Sequence, residues 1–238
     1  GSSVGVYARN FISFTVLAAL ISLINLATVS VMGTDPDAIA AGQVNFTAIA
    51  VGSIVGIIVS ALTQAAIIYG TFQDLRGQKA SMGACISRGI ATMIPVIVGS
   101  ILFSLAVTVG LALLIIPGII LLLMWWVYIP VVVVENKGIT GSFGRSSELT
   151  RGRRWHLLGL FLVILIISIV VGGVLAGSLA AIIVTAQSPG ALLAGQIFQY
   201  AISSIIGAFS AVMIAVTYYY LRAEKEGIDA NAIAQVVD

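Results

Sequence analysis

The chain has 238 residues, of which 60% are hydrophobic and only 8% charged, with a formal net charge of +2 and a mean hydropathy of +1.14. Soluble domains are about 45–50% apolar and about 25% charged, so this composition excludes an ordinary soluble domain and points to a polytopic membrane protein. Spans of about 20 residues each use most of the length, and residues 1–238 are expected to form a single transmembrane domain.

Apolar runs long enough to cross a bilayer are Phe11–Met32, Phe46–Gly70, Met93–Ile116, Gly118–Val134, Leu157–Ala186 and Gln196–Leu221. They are continuously apolar, without the alternation of barrel strands. The expected fold is therefore all-α, with six transmembrane helices arranged as three hairpins. Residues ahead of Phe11 lack the basic, apolar and cleavage-site succession of a signal peptide, so the first run is expected to be retained.

The cations fix an expected orientation. Arg9 precedes the first run; Arg76, Lys79 and Arg88 follow the second; Lys137, Arg145, Arg151, Arg153 and Arg154 follow the fourth; Arg222 and Lys225 follow the sixth. The other connections hold none, and the first of them carries Asp35 and Asp37. By the positive-inside rule both termini of this multi-pass chain are expected in the cytosol.

The three hairpins look alike. Each is entered through Arg followed by Asn or Gly (Arg9-Asn10, Arg88-Gly89, Arg151-Gly152) and turns at a proline (Pro36, Pro117, Pro189). Each leaves past a tyrosine (Tyr69, Tyr128, Tyr218) into a charged run ending in glycine: Asp74-Leu75-Arg76-Gly77, Glu135-Asn136-Lys137-Gly138 and Glu224-Lys225-Glu226-Gly227. Aromatic belts and Pro/Gly turns are also common to membrane hairpins in general.

Between hairpins the cytosolic segments have the pattern of short amphipathic interfacial helices. Met82, Ile86 and Ile90 recur every four residues beside Lys79, Ser81 and Arg88; Ile139 and Phe143 share a face, while Arg145, Glu148 and Arg151 are spaced for i,i+3 pairing. The tail beyond Ala223 is charged and then mildly amphipathic.

Candidate functional residues cluster at one junction. Arg145, Arg151, Arg153, Arg154, Trp155 and His156 combine cations with an indole at a helix entrance, a pattern suited to anionic lipid headgroups and equally produced by topology alone. Small residues at helical spacing form ridges for helix packing: Gly52, Gly56 and Ser60; Gly173 and Gly177; Ser203, Gly207 and Ala211. Thr63, Gln64 and Gln199 supply polar groups for interhelical hydrogen bonds or, alternatively, a polar path. The spans have no central Asp, Glu, Lys, Arg or His, which argues against ion-coupled transport. Cys85 is the lone cysteine and His156 the lone histidine, and no catalytic or metal-ligand spacing is present. No enzyme activity, cofactor, metal or nucleic-acid partner is expected. The partners expected are anionic membrane lipids, and other membrane proteins or further copies of the chain.

The succession Leu114-Ile115-Ile116-Pro117-Gly118-Ile119-Ile120, Pro130-Val131-Val132-Val133-Val134-Glu135 and Ser146-Ser147-Glu148-Leu149-Thr150-Arg151-Gly152-Arg153-Arg154-Trp155 resembles the membrane domain of glycerophosphodiester phosphodiesterases. Tyr219-Tyr220-Leu221-Arg222-Ala223-Glu224-Lys225-Glu226-Gly227 is similar to that family's closing segment. The resemblance implies an architecture and no catalysis, because the family's chemistry belongs to a separate soluble domain. The same membrane domain occurs alone in bacterial inner-membrane proteins. The functional expectation is a non-enzymatic scaffold or accessory subunit engaging anionic lipids or other membrane proteins; a passive or lipid-like transporter is the alternative.

Overall fold

The computed structural model describes residues 14–16, 46–78, 81–186 and 189–227. The first predicted span apart from residues 14–16, the Pro36 turn, both termini and the amphipathic tail lie outside the described residues. The described elements are seven α-helices: α1 (Phe46–Leu75), α2 (Met82–Leu113), α3 (Ile115–Met124), α4 (Tyr128–Glu135), α5 (Gly138–Thr150), α6 (Arg154–Ala186) and α7 (Pro189–Glu226), with no strand among these residues. Five stretches are long and apolar enough to cross a membrane: Ala50–Leu75, Met82–Leu113, Ile115–Glu135, Arg154–Ser178 and Ile197–Glu226. The chain is an all-helical membrane protein.

Helix α2 starts where Ser81 accepts a hydrogen bond from the Ala84 N–H at 3.2 Å, an N-cap that contributes about 1 kcal/mol. It then runs unbroken through Pro95 to Leu113. The flat helix expected around Met82, Ile86 and Ile90 is therefore not separate: those residues open α2. At 1.5 Å per residue α2 is about 48 Å long, against about 30 Å of hydrocarbon. The helix is longer than the apolar layer is thick.

The chain folds back at Leu114, which is extended (φ −156°, ψ 133°), three residues earlier than the expected Pro117 turn. Pro117 instead occupies the first turn of α3, where a missing N–H leaves no bond unmade. Two glycines let α2 and α3 touch. A Cβ on Gly118 would lie 2.6 Å from the Leu111 backbone nitrogen, and one on Gly110 would lie 3.0 Å from the Gly118 Cα.

The expected single helix over 118–134 is broken. Trp125–Val127 form a turn between α3 and α4, because Pro130 has no N–H for the carbonyl four residues back and its ring crowds that carbonyl. A broken helix at membrane depth needs substitute partners, and α5 provides them. Ser146 and Thr150 each donate to the Met124 carbonyl at 3.1 Å. The inward face of α5 is accordingly small and polar at Ser142, Ser146 and Thr150, all fully buried, with Leu149 beside them.

Tyr128, just past the break, crosses α2 at Gly99, where a Cβ would fall 1.7 Å from its hydroxyl oxygen. That hydroxyl donates to the Pro95 carbonyl at 2.9 Å. Phe143 of α5 stacks on the Tyr128 ring (4.2 Å) and meets Trp125 edge-on (4.8 Å). The main core gathers Ala65, Ala66, Ile67 and Ile68 of α1 with Val96, Val132, Val133 and Val212. A second core joins Val127, Val131, Leu149, Leu157 and Tyr218.

The residues expected to form packing ridges differ among themselves: Ala211 is buried in the main core, whereas others are open. A Cβ on Gly52, Gly173, Gly177 or Gly207 would meet nothing within 4 Å among the described residues, and Ser60 is exposed. Gly56 is half-buried. Close approach occurs at Gly89, Gly99, Gly110 and Gly118. Most of α6 faces outward, including Val163, Ile166, Ile169, Val170 and Val174.

Candidate functional site

Every described cation lies at one end of the bundle, where the end of α1, the starts of α2 and α6, α4–α5 and the end of α7 meet. Two corners of this end are built differently.

The first corner is a network around Glu135, whose side chain is 8% exposed. Glu135 is the last residue of α4, where the helix dipole disfavours an anion, so three donors converge on it. Arg145 Nε reaches both carboxylate oxygens at 3.2 Å, Lys137 Nζ lies at 3.0 Å, and the Tyr218 hydroxyl donates at 2.9 Å. Arg145 also pairs with Glu148 at 3.1 Å and with Glu226 of α7. Arg222 closes the ring: its Nε donates to Glu226 at 2.8 Å and its Nη1 to the Tyr218 oxygen at 3.3 Å. Burial disfavours the Arg145 cation, but hydrogen bonds to Glu148 and Glu135 outweigh it and hold the guanidinium above its ordinary pKa. Charges balance here, and the network ties α4 and α5 to α7.

The second corner is a cavity of about 520 Å³ between α1, α2, α4 and α7. Arg76, Arg88 and Arg222 line it together with Tyr69, Phe72, Tyr219, Val134, Ala223 and Gln73, so among the described residues no carboxylate faces the space. Arg88 is anchored by its Nε, which donates to the Val133 carbonyl at 2.7 Å; that carbonyl belongs to the last turn of α4, whose acceptors have no partner within the helix. Arg76 lies over the Phe72 ring at 5.7 Å, and Phe72 meets Tyr219 edge-on at 6.0 Å. Gln73 donates to the Tyr69 hydroxyl at 3.1 Å. Arg88, held by a backbone carbonyl, and Arg76, set over an aromatic ring, offer cationic groups suited to an anion, with the Glu226-paired Arg222 beside them. Among the described residues no group of three His, Cys, Asp or Glu could hold a metal ion.

Residues 79–221, more than half of the chain, match the family described as a domain of unknown function (DUF7847). The chain belongs to the DUF7847 family. No curated protein and no solved structure matches it. The DUF7847 match contains Arg88, the α3–α4 break, Glu135, Arg145 and Tyr218, and ends one residue before Arg222.

The residues singled out by sequence do not form one site. Arg145 belongs to the Glu135 network. Arg153 pairs with Glu224 at the end of α7, its Nε lying 2.9 and 3.0 Å from the two carboxylate oxygens. Arg151, Trp155 and His156 are exposed, Trp155 at 83%; Arg154 is half-buried with its Nε unbonded. None of the six lines the cavity. Thr63 bonds back to the Val59 carbonyl at 2.7 Å and Gln64 to Ser60 at 3.3 Å, both within α1. Gln199 is half-buried on α7. The cavity arginines escaped notice because each reads as a topology residue. Their register was visible, however: Arg88 opens one hairpin, and Arg76 and Arg222 stand near the close of two others.

Proposed function

We propose that this DUF7847 protein is a non-enzymatic integral membrane protein that engages anionic lipid headgroups at the charged end of its bundle and serves as a scaffold or accessory subunit. One observation carries the reading: all nine described cations, from Arg76 to Lys225, gather at one end, while the opposite fold, at Leu113–Ile116, is apolar and exposed. A polypeptide so polarised matches a bilayer with one anionic face. In this reading the chain crosses a bacterial inner membrane six times as three hairpins, with both termini and the charged end cytosolic. The outward apolar face of α6 meets lipid or another membrane protein.

Native mass spectrometry of the protein extracted from its own membrane tests the proposal. Co-purifying anionic phospholipid should fall severalfold when Arg151 and Arg154 are both changed to Gln. Absence of anionic phospholipid and of any membrane-protein partner from the extracted wild type would overturn the reading.

A further inference from the structure

We propose that the cavity walled by Arg76, Arg88 and Arg222 is a specific binding site for a phosphate group, carried by a phospholipid headgroup or by a soluble phosphate compound. The inference rests on the reading of the charged end as an anion-engaging surface and names the place where that engagement becomes stoichiometric.

The first argument is charge. Three arginines line one space, and none of the described residues that line it is acidic. Like charges that line one space repel. Only Arg222 has a carboxylate partner, Glu226; Arg76 and Arg88 form no ion pair among the described residues. A dianionic or monoanionic occupant relieves this imbalance.

The second argument is geometry. Arg88 is oriented by the bond from its Nε to the Val133 carbonyl, which leaves both terminal nitrogens available. Arg76 is positioned against the Phe72 ring through its guanidinium carbon, which leaves its N–H edge available. Planar forks of this kind match the oxygen spacing of phosphate and bind it through paired, charge-assisted hydrogen bonds.

The third is size and position. A volume of about 520 Å³ lies within the range of small-molecule sites and exceeds what a bare phosphate fills, leaving room for a glycerol-sized group against Tyr69, Phe72 and Tyr219. The cavity opens at the end of the bundle where headgroups would lie, and its walls are part cation and part aromatic, as the boundary between headgroup and hydrocarbon requires.

The test uses the full chain in phosphatidylcholine nanodiscs. Phosphatidylglycerol is titrated into the bilayer in one arm, and inorganic phosphate and glycerol 3-phosphate are added from solution in the other. Occupancy is followed by native mass spectrometry and by thermal stabilisation. One saturable ligand per chain is expected. Arg76→Gln, which breaks no hydrogen bond of the fold, should weaken it by about tenfold or more without shifting the melting midpoint of the unliganded protein. Arg88→Lys, which keeps the charge and loses the fork, should weaken it as well. Arg151→Gln/Arg154→Gln should leave this site intact. Saturable phosphatidylglycerol binding assigns the phosphate to a lipid, whereas saturable binding of the soluble probes alone assigns it to a cytosolic compound. Absence of saturable binding in both arms, or equal binding in wild type, Arg76→Gln and Arg88→Lys, overturns the site. In that case an unsaturable phosphatidylglycerol enrichment that falls in Arg151→Gln/Arg154→Gln would leave the broader lipid reading standing.

Discussion

The two corners of the charged end share α7 and even share Arg222, yet their cations do opposite things. Around Glu135, three cations (Lys137, Arg145 and Arg222) face three carboxylates (Glu135, Glu148 and Glu226), and each cation has a carboxylate partner. Around the cavity, Arg76 and Arg88 face aromatic rings and a backbone carbonyl. The number of cations at a membrane boundary therefore says little about which of them bind a ligand. What separates them is whether the fold already supplies an anion. The Glu135 corner is a fastening between helices, whereas at the cavity corner the described residues give Arg76 and Arg88 no carboxylate partner.

The comparison is broken most directly at Glu135. Glu135→Gln keeps the shape but removes the anion on which Arg145, Lys137 and Tyr218 converge. Removing one member of a buried pair costs about 3 kcal/mol, toward the low end of the usual range because Arg145 retains Glu148 and Glu226. The expected outcome is a clear fall in the midpoint of SDS-induced or thermal unfolding. Phosphate binding at the cavity should fall far less than it does in Arg76→Gln. A stable Glu135→Gln protein would show that the network is not the fastening described here.

A sharper and smaller effect is expected at Tyr218, which is fully buried. Its hydroxyl donates to Glu135 and accepts from Arg222. Tyr218→Phe removes both bonds while keeping the ring that packs against Phe72 at 6.0 Å, and should cost about 1–2 kcal/mol. A double-mutant cycle of Tyr218→Phe with Glu135→Gln should show strong coupling, because the first change removes a bond to the carboxylate whose charge the second removes. Additive effects would separate the tyrosine from the network.

Much of the architecture was legible in the sequence because a span is a local property. Continuous apolar runs placed α1, α2, α6 and α7 to within a turn or a few turns of their ends. Gly77 and Gly227, just past α1 and α7, have a left-handed backbone (φ 70° and 65°), as expected of helix-terminating glycines, whereas α4 is capped by left-handed Asn136 (φ 52°) and Gly138 (φ 69°) opens α5. Other features depend on which helix lies opposite. Pro130 was visible, but the break it enforces becomes tolerable only because Ser146 and Thr150 satisfy the Met124 carbonyl. The ridge of Gly52, Gly56 and Ser60 and the single Gly99 look equivalent as small residues, and only the crossing of Tyr128 makes Gly99 the tight contact. The same limit applies to the arginines. Arg88 and Arg145 are both cations near a helix end, and neither their spacing nor their neighbours in sequence reveal that Glu135 is brought to Arg145 and none to Arg88.

The smallest effect is expected where an ion pair is present but wet. Arg153 and Glu224 join the entrance of α6 to the end of α7 across 71 residues of sequence, with side-chain exposures of 45% and 49%. Their attraction raises the Arg153 pKa above its ordinary value, but water and salt screen a pair this exposed, and holding two long side chains in one geometry offsets what remains. Arg153→Gln should leave the unfolding midpoint unchanged at physiological ionic strength, with a slight fall only at low salt. This outcome matters because Arg153–Glu224 and Arg145–Glu135 look alike as charge pairs between distant segments. If Arg153→Gln were as damaging as Glu135→Gln, burial would not be what distinguishes a fastening from an incidental pair. If it is silent, Arg153 remains a surface cation whose counter-ion is exchangeable, and the bilayer's own phosphates can compete with Glu224 for it.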